Sequence, residues 1–236
     1  MEFGRIDFIS AYCDSWCERC AFTTQCSSYA VRVATTMCDG NFEEALELAL
    51  GRPRSPIGGQ KPEMDRYREV LEAQPTHAEV DTQLKLETAR HARIQQEPLT
   101  TLASALTDLT VAWLKAHLNL VRLSATGELA GAAEVLSWDT GLITAKIHRA
   151  LDGRDRFSTE QNDDDPIQND WNGSAKVALI SIARSAAACD VLAASGDTDA
   201  ARLGEELRNL GRQVDVEFPN ASRFIRPGFD TCGGEV

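Results

Sequence analysis

The 236-residue chain has no stretch of four to eight alternating β-branched residues, so nothing in it reads as a strand and the expected class is all-α. It has no G-x-S-x-G, no P-loop and no G-x-G-x-x-G, and so lacks the signatures of nucleophile-elbow, phosphate-cradling and dinucleotide-binding chemistry. None of His77, His91, His117 or His148 follows a glutamate by three positions, which removes the Glu-x-x-His pairs of a di-iron carboxylate bundle. Basic residues are scarce. With 24 Lys and Arg against 36 Asp and Glu, the net charge of −12 argues against a general nucleic-acid surface. No run of about 18 apolar residues suggests a membrane span, so no membrane partner is expected. Nor does the opening Met1-Glu2-Phe3-Gly4-Arg5 carry an apolar export segment.

Cysteine, by contrast, is concentrated at one end. Four of the seven cysteines fall between Cys13 and Cys26 in the spacing C-x3-C-x2-C-x5-C. Without an export signal, seven cysteines point to reduced thiols and a cytoplasmic setting. Thiolates crowd together in such a setting when a soft metal partner holds them. If the segment were helical, Cys13 and Cys17 would lie on one face at i and i+4, with Cys20 a turn later and Cys26 folding back to close the set. A compact pocket of four converging sulfurs suits a [4Fe-4S] cluster. Structural zinc is the rival, although its ligands usually come as two pairs separated by a longer insert. Phe8, Ile9, Tyr12, Trp16, Phe22 and Tyr29 lie near the cysteines and offer apolar cover, or are simply the core of a small N-terminal unit. Cys38 reads as a buried structural cysteine or a substitute ligand, and Cys232 as a bystander in a Gly-rich end.

The run Cys17-Glu18-Arg19-Cys20-Ala21-Phe22-Thr23-Thr24-Gln25-Cys26 resembles the C-x2-C-x5-C end of the [4Fe-4S] loop in endonuclease III-type and adenine DNA glycosylases. It is also similar to the cysteine end of cluster-bearing RecB-like nucleases. The likeness covers about ten residues and implies a cluster rather than a nuclease, since no helix-hairpin-helix follows and the first spacing is three residues where the glycosylases have six. The longer Tyr-Cys-Asp-x-Trp-Cys-Glu-Arg-Cys string looks like one in bacterial proteins of uncharacterised function.

Along the chain, helices are expected at Ser27–Met37 and, capped by Asn41, Phe42–Leu50. Pro and Gly between Arg52 and Pro62 mark a linker separating an N-terminal module (1–51) from a helical bundle (63–216). Glu63–Ala73 is a short helix candidate. Thr76 and Glu79 form a capping box for Ala78 to about Gln96. Pro98 opens a helix to about Ser124, Glu128–Leu151 follows, and Ser174–Ala194 is apolar nearly all round and hence central. Asp197 or Thr198 caps a last helix to about Val214, and 217–236 reads as a tail. Long helices in succession suggest an antiparallel bundle. The Asp163-Asp164-Asp165 loop lacks calcium-loop spacing and reads as solvated.

A second candidate site lies among charges on the apolar helices. Lys146 and Arg149 share a face with Asp139, while Lys176 and Arg184 sit on the central helix. Buried cations need partners. These four either form a cross-helix ion-pair network or line a pocket for an anionic ligand near Trp138 and Trp171. The sequence therefore points to an iron–sulfur protein of electron transfer or redox sensing, with a protein redox partner. A zinc-stapled helical interaction protein is the alternative, and an enzyme using the anion pocket a weaker one.

Overall fold

The computed structural model describes residues 4–51, 75–117, 127–160 and 165–230. The linker and the Glu63–Ala73 helix expected from the sequence, most of the Asp163–Asp165 loop and Cys232 lie outside the described residues. Among the described residues the secondary structure is entirely helical, with seven α-helices. These are α1 (Ser27–Met37), α2 (Phe42–Leu50), α3 (His77–Gln96), α4 (Pro98–Ala116), α5 (Glu128–Glu160), α6 (Asp170–Ala194) and α7 (Thr198–Glu217).

Local chemistry sets most of the starts. Asn41 caps α2 by accepting from the Glu44 amide, and Pro98 occupies the first turn of α4, where its missing N–H has no helical partner to lose. Thr76 and Glu79 bond reciprocally at the start of α3. Asp197 caps α7 through the Ala200 amide.

The bundle is built on α6. Its buried residues are mostly small (Ala175, Ala178, Ser181, Ala186, Ala188, Cys189), which lets α5 and α7 approach closely. Gly204 marks a close approach of α7: a Cβ there would sit 3.0 Å from Cys189 Cβ. From α7 the stripe Leu203, Leu207, Leu210 and Val214 closes over α6, and Leu136, Ile143, Ile147 and Leu151 do so from α5. Helix α4 covers α5 and α7 with Leu99, Ala103, Leu106 and Trp113. By length and composition α6 is apolar enough to cross a membrane, contrary to the expectation of no such run, and half of that window is buried inside the fold.

Helix α4 ends at Ala116 rather than near Ser124 and α6 begins at Asp170 rather than Ser174, and two further boundaries differ for identifiable reasons. Helix α5 continues past Leu151 to Glu160 through a polar segment that resembles a loop in composition. Ion pairs to neighbouring helices hold it: Asp152 with Arg90, Asp155 with Arg93, and Arg154 with Glu97 and Glu217. The C-terminal stretch read as a tail packs instead. Phe218, Ala221 and Phe224 are buried, and the stretch runs over α6 to the N-terminal segment, where Phe224 meets Tyr12.

Candidate metal centre

The cysteine segment is not one helix. Three single turns of 3-10 helix (Ile9–Tyr12, Cys17–Arg19, Thr23–Gln25) alternate with extended residues, and Cys13 itself has extended backbone. The i, i+4 placement expected for Cys13 and Cys17 is therefore replaced by a folded loop. Ser15 makes that loop possible by adopting a left-handed conformation (φ 58°) at a cost of about 1 to 2 kcal/mol for a side chain with a Cβ. The turn lets the Cys17 amide donate to Ser15 O at 2.9 Å and aims the Ser15 amide at Cys13 Sγ, 3.4 Å away.

All four cysteines, Cys13, Cys17, Cys20 and Cys26, line one small hollow that is continuous with solvent. Ile9, Trp16, Tyr29 and Phe229 supply its apolar wall. Backbone amides point at three of the sulfurs: Ser15 N at Cys13, Phe22 N at Cys20 and Tyr29 N at Cys26, each at 3.4 Å. Cys26 is also the N-cap of α1, so the positive end of that helix faces its sulfur. Such donors stabilise thiolate over thiol and tune a bound metal. Burial raises the Cys17 pKa; Arg32 opposes it, while Cys13, Cys26 and Glu18 add to it. Negative charges gathered here repel one another, and a cation among them reverses the sign of that interaction.

As the side chains lie, no three Cys, His, Asp or Glu among the described residues converge closely enough to hold a single ion. Cys13 Sγ instead donates to Ser10 O at 3.4 Å, a contact that a thiol makes and a thiolate cannot. Metal binding thus requires the thiols to deprotonate and turn into the hollow. Cys38 caps the C-terminal end of α1 and does not line the hollow. Cys189 is fully buried between α6 and α7, where burial pushes its thiol up to about 12.

The four cations proposed as an anion pocket are each occupied by the chain itself. Lys146 Nζ donates to Ala11 O at 3.0 Å. Arg149 binds Asp170 with two nitrogens, and Asp170 in turn accepts from Tyr12 Oη. Lys176 holds Phe224 O and Asp230. Arg184 bridges Asp139 on α5 and Asp14 in the cysteine loop. Arg149, Lys176 and Arg184 are thus ion-paired and Lys146 holds a backbone carbonyl, and these bonds tie both chain ends onto the bundle. Burial works against the charge on Arg184, but the bonds to Asp139 and Asp14 outweigh it and raise its pKa above the ordinary arginine value.

Sequence reasoning missed what the tryptophans do. Trp16 stacks on Trp138 (5.1 Å between centroids, 14° between planes), and Trp138 Nε1 donates to Asp14 O at 2.9 Å. Arg19 lies over the Trp16 ring at 3.9 Å and also pairs with Glu134 on α5. It missed Phe229 too, which meets Phe22 edge-on and walls the hollow from the C-terminal segment. The sequence signal was only the presence of aromatics beside the cysteines and near the C-terminus.

Compared with models of protein families, with curated proteins and with solved structures, the chain matches none.

Proposed function

We propose that Cys13, Cys17, Cys20 and Cys26 hold a [4Fe-4S] cluster and that the protein works in electron transfer or redox sensing. The observation that carries this reading is the common hollow lined by all four cysteines of the C-x3-C-x2-C-x5-C run. Amide donors on three of the sulfurs and the aromatic wall support it, because both favour a shielded thiolate-bound centre. With four protein ligands no iron is left open for substrate, so one-electron exchange with a protein partner follows more readily than Lewis-acid catalysis. A cytoplasmic, reducing compartment suits thiols kept free to bind such a cluster. The helices behind the site are taken as an antiparallel bundle that serves as its scaffold.

Anaerobic purification followed by iron, sulfide and zinc analysis with a visible spectrum tests the proposal. About four irons and four sulfides per chain with a broad visible band are expected. One zinc and no colour makes the four cysteines a structural staple and replaces the redox reading with that of an interaction protein. A variant with all four changed to serine that keeps its full metal load overturns the ligand assignment.

A further inference from the structure

The cysteine loop has little core of its own. Up to Cys26 its buried apolar residues are Ile9 and Trp16, and it has no regular structure beyond the three short turns. What holds it is a face of the bundle. Asp14, which sits between the first two cysteines, uses every oxygen it has. Its carboxylate accepts from Arg184 Nη1 (2.6 Å) and from the Trp16 amide (3.1 Å), and its carbonyl accepts from the Trp138 indole. Lys146 grips Ala11 O, and Trp138 carries the stacked Trp16. On the bundle side the receptor is anchored independently: Asp139, with 0% exposure, accepts from Arg184 and from Ser185 Oγ at 3.1 Å, so Arg184 stays in place whether or not Asp14 reaches it.

The loop thus has two sources of order, the bundle face and whatever draws its four sulfurs together. Removing one weakens the other, because two events that order the same segment are linked reciprocally. We propose that metal occupancy at the four cysteines controls docking of residues 10–20 on α5 and α6, so that loss of metal uncovers the Arg184 guanidinium and the ring face of Trp138 on which Trp16 stacks. The inference rests on the metal-centre reading above and adds a regulatory output to it. The bundle core is common to both states, while the loop and the face beneath it exchange between covered and open.

Two measurements on the full-length protein test it. Hydroxyl-radical footprinting with mass spectrometry, on metal-loaded protein and on protein stripped by a chelator under anaerobic reducing conditions, reads the exposure of each tryptophan. Trp16, 5% exposed when docked, is expected to react at least about fivefold faster after stripping, with a smaller rise at Trp138. Trp113, buried in the bundle, serves as the unchanged control. The reciprocal measurement uses Lys146→Met and Asp14→Asn, which weaken docking without touching a cysteine. Both are expected to release iron or zinc to a chromogenic chelator at least about fivefold faster than wild type. Lys146→Met keeps or raises bundle stability, because it replaces a buried cation by an apolar chain of similar length.

A merely structural role for Lys146 would move stability and leave the release rate unchanged. Equal footprinting of Trp16 with and without metal overturns the proposal, as does wild-type release from both variants. Absence of bound iron and zinc at the outset overturns the metal reading itself, and is recorded before either measurement begins.

Discussion

Gly173 offers the sharpest test of how the N-terminal segment is seated. It lies in the first turns of α6, where a Cβ would come within 2.5 Å of Tyr12 Cδ1 and 2.7 Å of Phe224 Cζ. Both rings are fixed from elsewhere: Tyr12 by its hydroxyl on Asp170, Phe224 by burial and by contact with Tyr12 at 4.7 Å between centroids. Neither can retreat without opening the contact between the N-terminal segment and α6. Gly173→Ala therefore sets an overpacking penalty of about 1 to 3 kcal/mol against a gain of up to about 1 kcal/mol from helix propensity. The net expectation is a loss of about 1 to 2 kcal/mol. Gly141 is the matched control, because it is helical on α5 and a Cβ there meets nothing within 4 Å. Gly141→Ala should gain about 0.5 to 1 kcal/mol. Urea denaturation followed by circular dichroism reads both, with shifts in midpoint at constant slope as the criterion. If Gly173→Ala matches or exceeds wild type while Gly141→Ala behaves as expected, the close seating of Tyr12 and Phe224 on α6 is refuted.

Other expectations follow from single groups. Burial alone raises the Asp230 pKa, but bonds from the Arg226 and Lys176 side chains and the Arg226 amide outweigh it and hold the carboxyl well below the usual range. Its contribution to stability is therefore fully present above the ordinary aspartate pKa of about 3.9 and lost as pH falls from there toward the depressed native value. The stability difference between wild type and Asp230→Asn, from denaturation at a series of pH values, should be constant near neutrality and shrink below about pH 4; a difference that grows in acid contradicts the assignment. Cys189, buried and with its thiol pushed up to about 12, should stay unmodified by a thiol reagent in the folded protein and react on denaturation, as peptide mass mapping would show. Leu210 is fully buried on α7 against the core, and Leu210→Ala should cost about 2 to 5 kcal/mol in the same denaturation assay. A loss under about 1 kcal/mol would place Leu210 outside the close-packed interior.

The role of charge shows how the site was only half legible. Lys146, Lys176 and Arg184 stood out as cations on apolar helices, which flagged them as needing partners but not which ones. Their partners, Ala11 O, Asp230 and Asp14, lie 135, 54 and 170 residues away in sequence, and such pairings leave no local periodicity. The polar half of α5 was obscured for a related reason. A run rich in Asp, Arg and Glu has a loop's composition, and here Arg90 and Arg93 of α3 and Glu217 of α7 pair with it from two other helices.

By itself the sequence determined the helical class, the capped starts of α2, α3 and α7, the proline start of α4, and the cysteine spacing that singles out one end of the chain. Those features depend on neighbours within about four residues, through helix periodicity and side-chain caps. Tertiary structure alone decided that the four cysteines share a hollow, that Ser15 turns the loop rather than a helix carrying it, and that Phe229 closes one wall. It also decided that the lone cations clamp both chain ends to α5 and α6. Those outcomes depend on contacts between distant segments, whose geometry is set only when small residues on α6 let the surrounding elements close in.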